Sequence, residues 1–538
     1  MKRGPTANVL TAQCASPGLA KGPIWLDARR EGEARRALAP DAEADALRVA
    51  ITAAVNDLSF LREHADELAS EILEYQIAML EDDELTATAF PEIADGAAAD
   101  NAWVAAIGAQ IAVYQDGDSV YFRARAADLE DLRDRVLDHL RGSASVINER
   151  VSGHVVVAGD MTPSRFLALA SHGIAALVLR AGSASSHVAI LARARGIPML
   201  VGLGDTSGEA VQDADCALVD AQRGTLMLDP NAEEQGEFGQ RLANLADSQR
   251  EQARLLPLRA TTRRGTSCTV MVNIDDPDLL ASIDIEHCDG SGLVRTELQL
   301  DDGGNLPDEA EQTRIYRQVM AWSRGKPVVF RTLDAGGDKP IPGLTRSGEA
   351  NPFLGVRGLR LSLERPDVFQ AQIRAMLRAA GDGDMRIMLP MVTAPEEFET
   401  ARRLITDVHA AMAPGERPVE LPPIGIMVEV PAAALRIAAF DADFYSVGSN
   451  DLIQYTTATS RDEASLRPLQ DPRNPAVLEL IARVVEHGDG HNKGVSLCGD
   501  MASDPGCLAD LIGLGMRSLS VAPAALGPIK ARIHELDI

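Results

Sequence analysis

Two groups of residues in this 538-residue chain carry side chains suited to phosphoryl chemistry. The first is a single histidine at the mouth of a helix. Gly182-Ser183-Ala184-Ser185-Ser186-His187 is a run of small residues leading into Val188-Ala189-Ile190-Leu191-Ala192-Arg193. Ser185 or Ser186 can cap that helix, and Val188, Ile190 and Leu191 give it an apolar face. His187 then sits beside unpaired backbone N–H groups and the positive end of the helix dipole, a place that suits an anion. A neutral imidazole there can attack a phosphorus atom and have its new negative charge partly compensated, with Arg193 further along as a partner. A buried histidine satisfied by its neighbours leaves the same local pattern.

The second group is spread over the last half of the chain. Arg295, Arg331, Glu429, Asn450 with Asp451, and Cys498 each stand at or just past the end of a short apolar run. Arginines can clamp phosphate and carboxylate by paired charged hydrogen bonds. Glu429 and Asp451 offer two hard oxygen ligands to a magnesium ion that keeps room for substrate oxygens. Such an ion could stabilise an enolate, and a thiol at Cys498 could supply the proton that makes it a ketone. Any one of these residues could be an ordinary strand-end ion pair. Their joint placement is the signal.

The elements that must position them follow from period. From about residue 259 a short β-rich run and then a helical stretch recur eight times. The runs are Val270–Val272, Gly292–Arg295, Val328–Arg331, Ile387–Met391, Ile426–Glu429, Phe444–Val447, Val495–Cys498 and Leu519–Val521. Eight alternations predict a (β/α)8 TIM-type barrel, whose strand ends share one chemical face. Earlier in the chain, residues 8–26 read as a strand, a tight turn and a second strand. Leu47, Ile51, Val55, Leu58 and Leu61 then recur at helical spacing, and Ile72, Tyr75, Ile77, Met79 and Leu80 mark a second helix. Two further helical stretches follow, so residues 30–143 predict a helical bundle with acidic positions at Glu71, Glu74 and Glu81-Asp82-Asp83-Glu84. Those acids suit a solvated face or a basic partner. Strand runs at Val155–Ala158, Ala175–Leu179, Pro198–Gly202 and Cys216–Asp220 build an α/β domain from residues 1–29 and 144–230, into which the bundle is inserted. Residues 231–258 read as a connecting helix, and 259–538 as the barrel.

Composition narrows the class. The net charge of −27 argues against nucleic acid and favours a basic protein partner or simple solubility. Six scattered cysteines without a CxxC pair read as reduced thiols, and no apolar run is long enough for a membrane span. With no apolar segment behind Met1, the expectation is a cytoplasmic protein.

Over nearly its full length the chain resembles enzyme I of the bacterial sugar phosphotransferase system, within the phosphoenolpyruvate-utilising enzymes. The resemblance rests on Ala15-Ser16-Pro17-Gly18, the Ser185-Ser186-His187 loop with Arg193, and Gly292-Leu293-Val294-Arg295-Thr296-Glu297. It continues through the motifs 331–339 (with Arg331 and Lys339) and 351–357 (with Arg357), then Met427–Pro431, Gly448–Thr456 and Leu497-Cys498-Gly499. It implies an α/β multidomain protein with a swivelling phosphohistidine domain, the bundle and the barrel. It implies that His187 is phosphorylated on Nε2, and that Arg295, Arg331, Asn450, Asp451 and Arg461 bind phosphoenolpyruvate. Glu429 and Asp451 would hold Mg2+, and Cys498 would donate the proton that releases pyruvate. Ser185, Arg193, Lys339 and Arg357 would support the site. The bundle would dock the phosphocarrier protein HPr, and the barrel would form a homodimer.

Three departures from the family pattern carry expectations. Gly182-Ser183-Ala184-Ser185 stands for Gly-Gly-Arg-Thr, so phosphate contact falls to the Ser185 hydroxyl. Cys498-Gly499-Asp500 is one methylene shorter than Cys-Gly-Glu. Ser460-Arg461-Asp462-Glu463 stands for Asp-Arg-Gly-Asn, and two acids beside Arg461 predict weaker phosphoenolpyruvate binding. Two other readings compete. A pyruvate,phosphate dikinase or phosphoenolpyruvate synthase needs an ATP-grasp domain ahead of the histidine, where the sequence is mostly helical. A non-catalytic relay would keep the fold without turnover.

Overall fold

In the computed structural model the segment from Val9 to Leu26 forms three strands where the sequence suggested two. The model describes residues 9–27, 38–63, 67–115, 120–142, 149–184, 186–204, 211–298, 305–337, 339–346, 348–381, 383–413, 415–416, 418, 420–461 and 463–538. Two units, Met1–Leu245 and Ala246–Ile538, divide the chain. In the first, β1 (Val9–Thr11), β2 (Gln13–Ser16), β3 (Leu19–Leu26), β4 (Val155–Ala158), β5 (Ala176–Leu179), β6 (Met199–Val201), β7 (Cys216–Asp220) and β8 (Thr225–Leu228) make one sheet. Its order is β1-β8-β7-β3-β4-β5-β6-β2. β3 through β6 are parallel neighbours, and β4 and β5 are buried on both faces, which is why they read as unbroken Val and Leu runs. β1 pairs with β8 and β2 with β6, and between them the Ala12 N–H donates to the Gly224 carbonyl at 2.9 Å. Eight residues of chain therefore serve both edges of the sheet. β8 did not stand out in the sequence, because four residues ending at a turn carry too little period.

The helices Pro40–Glu63, Glu67–Glu81, Ala99–Gln115 and Val120–Arg141 lie between β3 and β4 in sequence. Leu47, Leu58, Leu73, Trp103, Ile107 and Leu132 form their core. Two buried acids fix the assembly. Glu43 accepts the Ala99 N–H at 2.7 Å, satisfying a donor at a helix start. Asp131 accepts from Gln76 at 3.1 Å and from the Ser164 hydroxyl at 2.9 Å, which ties the bundle to helix Pro163–Ser171. The same apolar cluster continues into Phe166, Leu177 and Leu191. Helix Ala232–Leu255 follows β8.

In the second unit all eight anticipated runs are strands: β9 (Thr269–Ile274), β10 (Ser291–Arg295), β11 (Val328–Arg331), β12 (Met385–Leu389), β13 (Ile424–Val428), β14 (Phe444–Gly448), β15 (Gly494–Cys498) and β16 (Ser518–Val521). They close into a parallel barrel, with β16 returning to β9. Alternate residues such as Phe330, Ile387, Ile426 and Tyr445 pack in the large cluster with the outer helices. Leu293, Val329, Met388, Met427 and Phe444 pack instead with Cys498 as a separate buried layer. Among the described residues no helix is long and apolar enough to cross a membrane.

Candidate active site

His187 is the first residue of helix His187–Ala194, and Ser186 is its cap, accepting the Ala189 N–H at 3.3 Å. Ser185 lies outside the described residues. Gly182 holds φ at +96°, which a residue with a side chain would resist, and so turns the chain into the loop. Arg193 is exposed, yet its guanidinium is tied down. Its Nη1 donates to the Ala15 carbonyl at 2.6 Å and to the Ala184 carbonyl at 2.9 Å. The helix bearing His187 is thus pinned both to its own leading loop and to the Ala15-Ser16-Pro17-Gly18 turn. That turn is close-packed, since a Cβ on Gly18 would stand 2.8 Å from Cγ of Pro198.

The barrel's strand ends converge on a cleft of about 240 Å³ lined by Arg295, Arg331, Lys339, Glu429, Asn450, Asp451, Arg461, Cys498 and Asp500. Eight of these nine are residues anticipated from sequence. Of the supporting residues only Lys339 lines the cleft among the described residues; Arg357 is fully buried, 3.1 Å from Asp334 and 3.5 Å from Asp451. Its guanidinium orders both carboxylates.

Arg331 is the best-supported cation. It pairs with Glu297, and its Nη1 lies 3.2 Å from Asp334. Lys339 Nζ shares the same Glu297 oxygen at 2.8 Å. Burial alone would raise the Asp334 carboxyl, but Arg331, Arg357 and Lys339 outweigh it and hold it well below the usual range. Glu297 and Asp334 were not singled out in the sequence. Each stands two or three residues past a strand-end arginine, a spacing that was available as a signal. Arg295 pairs with Asp275 at 2.8 Å and stays partly exposed.

Glu429 has the opposite balance. Burial first, then the charges of Asp451 and Asp334, push its carboxyl up to about 8. Its Oε1 accepts the Met391 N–H at 2.6 Å, and Met391 is held at φ +57° to present it, a conformation that costs on the order of 1–3 kcal/mol. Its Oε2 lies where a Cβ on residue 448 would come within 3.0 Å, so Gly448 leaves it room. No cluster of three or more His, Cys, Asp or Glu side chains able to hold a metal occurs among the described residues. Two crowded carboxylates beside an open cleft nevertheless fit Mg2+, which is commonly held by one or two carboxylates together with waters and substrate oxygens.

Cys498 is buried at the cleft floor. Its thiol donates to the Val447 carbonyl at 3.5 Å and accepts from the Ser446 hydroxyl at 3.6 Å. Burial pushes it up, which keeps it a thiol at neutral pH. Asn450 is oriented by the Asp500 N–H, 2.9 Å from its Oδ1. Gly499, at φ +95°, is required between them: a Cβ there would lie 2.4 Å from the Ser449 hydroxyl oxygen. The Arg461 guanidinium stands 5.7 Å from the centre of the Phe353 ring. Asp462 lies outside the described residues. Glu463 is exposed and accepts from the Ser465 N–H and hydroxyl at 3.1 and 2.7 Å. Those bonds engage its carboxylate within its own turn and hold its pKa below the usual range.

Three family models match the chain: PEP-utilising enzyme, N-terminal, over residues 11–125; PEP-utilising enzyme, mobile domain, over 151–224; and PEP-utilising enzyme, PEP-binding domain, over 249–538. A phosphoenolpyruvate-protein phosphotransferase of Latilactobacillus sakei is 34% identical, covering 97% of this chain and 93% of that one. Its namesakes from Geobacillus stearothermophilus and Listeria monocytogenes are 34% and 33% identical, covering 97% and 99% of this chain and 92% and 95% of theirs. With three consecutive family models and near-complete alignment to these enzymes, the chain belongs to the phosphoenolpyruvate-utilising family, among the phosphoenolpyruvate-protein phosphotransferases.

Proposed function

We propose that this protein moves the phosphoryl group of phosphoenolpyruvate to Nε2 of its own His187 and then to a histidine of the phosphocarrier protein HPr, releasing pyruvate. The observation that carries the reading is the convergence of four cations, two crowded carboxylates and a buried thiol in one cleft on the barrel's strand-end face. Arg295, Arg331, Lys339 and Arg461 match a trianionic substrate in sign, and Asn450 adds a neutral polar contact. As the imidazole nitrogen bonds to phosphorus, the bond from phosphorus to the enol oxygen breaks. The enolate left behind takes a proton on carbon from the Cys498 thiol and becomes pyruvate. Mg2+, held by Glu429 and Asp451, would neutralise charge on the phosphate and the enolate oxygen.

The domain assignment belongs to the same reading: residues 1–29 and 144–230 as the swivelling phosphohistidine domain, 30–143 as the HPr-docking bundle, 231–258 as the linker, 259–538 as the substrate and dimerisation domain. The setting is the cytoplasm. The deciding experiment incubates purified protein with phosphoenolpyruvate carrying 32P and Mg2+. Acid-labile, base-stable label without ATP supports the reading; label only from ATP, or none, rejects it.

Two substitutions probe individual roles. Glu429→Gln keeps the volume and removes a ligand charge, so the Mg2+ concentration for half-maximal labelling should rise by roughly tenfold or more. Unchanged metal dependence would leave Glu429 a structural residue. Arg461→Ala should raise KM for phosphoenolpyruvate about 10–100-fold, the worth of one charge-assisted hydrogen bond. Glu463→Asn should change it less than about twofold, because that carboxylate is exposed and screened by solvent and salt. Steady-state kinetics of the two variants side by side separates a clamp from a bystander.

A further inference from the structure

The two acids that grip Arg331 do not hold themselves in place. Glu297 follows Thr296, and Asp334 follows Leu333, just beyond the ends of β10 and β11. Both neighbours are bonded to one side chain, Gln372, on the outer helix Pro366–Ala380. The Leu333 N–H donates to Gln372 Oε1 at 3.0 Å. Gln372 Nε2 donates to the Thr296 hydroxyl at 3.0 Å and to the Tyr316 hydroxyl at 3.3 Å. Gln372, Thr296 and Tyr316 are all buried, so water is not a ready substitute.

The direction of each bond is fixed by counting protons. The Thr296 hydroxyl has one, and it goes to the Arg331 carbonyl at 2.9 Å. The Tyr316 hydroxyl has one, and it goes to Gln312 Oε1 at 3.1 Å. Both hydroxyls must therefore accept from residue 372, while the Leu333 N–H must donate to it. Position 372 has to give two protons and receive one. A primary amide does this; a carboxylate gives none, and an aliphatic chain does neither.

We propose that Gln372 is a positioning residue for the phosphoryl-donor site. It locks the backbones that carry Glu297 and Asp334, and through them sets the orientation of the Arg331 guanidinium toward phosphoenolpyruvate. It touches no substrate itself. This rests on the reading of the cleft as the phosphoenolpyruvate site.

The test measures equilibrium binding of phosphoenolpyruvate with Mg2+ to the full-length chain, together with thermal melting, for wild type, Gln372→Leu and Gln372→Glu. Gln372→Leu should weaken binding at least tenfold. Gln372→Glu carries its own control. Protonated, its carboxyl can still accept from Leu333 and donate once; ionised, it can donate nothing. Burial raises the pKa of such an acid. Its affinity, taken as a ratio to wild type at each pH, should approach the wild-type value near pH 6 and fall by tenfold or more toward pH 8. A merely space-filling role predicts a flat ratio. Binding by Gln372→Leu within twofold of wild type, or a flat ratio for Gln372→Glu, overturns the proposal. The second criterion stands even where Gln372→Leu fails to fold. A wild-type chain that binds no phosphoenolpyruvate overturns the cleft assignment, and this inference with it. Wild-type binding alongside a flat ratio overturns the inference alone.

Discussion

Replacing His187 by Ala should remove covalent labelling from phosphoenolpyruvate altogether, a loss on the order of 10⁴-fold or more in transfer rate. The size of the effect follows from chemistry. In the proposed reaction the imidazole is the nucleophile; a neutral hydroxyl such as that of Ser186 is a far weaker one at neutral pH, and a guanidinium such as that of Arg193 is none. The fold should not suffer, because His187 is a half-buried first residue of its helix and contributes no core contact. Affinity for phosphoenolpyruvate should stay within about twofold, since the cations of the cleft are untouched. Labelling and binding assays on the same preparation check both halves. Label on the Ala variant would remove His187 from the mechanism.

Arg331→Met should be nearly as damaging, for a different reason. The guanidinium faces Glu297 and Asp334 where almost no water reaches, and Met preserves much of the volume while withdrawing the charge. Glu297 would keep only Lys339, and Asp334 would keep Arg357 and Lys339. Removing one partner from a buried ion pair costs about 3–5 kcal/mol. The proposed contact to phosphate would be lost as well, worth roughly 10³-fold in kcat/KM. The variant should melt well below wild type and bind phosphoenolpyruvate poorly. Arg331→Lys should recover part of the stability but little of the affinity, because an ammonium cannot make the forked contact. Calorimetry with steady-state kinetics tests the pair; a Met variant that melts like wild type would show that the acids are compensated without Arg331.

The barrel was legible because each of its strands is a short apolar run followed by a helix, a pattern local enough to survive in the sequence. Its chemical face was legible because the fold gathers strand ends, so Arg295, Arg331, Glu429 and Cys498 could be grouped without knowing a single distance. What stayed hidden depends on long-range pairing. The break at Ala12 exists because residues on its two sides pair with strands at opposite edges of a sheet, and nothing within ten residues signals that. Arg357 could be placed beside the site by motif, but its partners Asp334 and Asp451 lie 23 and 94 residues away along the chain. Gln372 reads as an ordinary helix residue until the loops it holds are brought beside it.

The helical insertion has one further consequence. β3 and β4 are parallel neighbours, with Leu26 beside Val157, so the chain must travel the length of the sheet between them. The bundle makes that journey and takes the place of the single helix a parallel pair would otherwise need. It cannot be excised like a loop, because the end of β3 and the start of β4 lie at opposite ends of two adjacent strands. Its apolar interior also runs on into Leu191, on the helix that begins with His187. Bundle and histidine helix thus share one apolar core. A protein that grips the outside of the bundle takes hold of the footing on which the proposed phosphoryl acceptor stands.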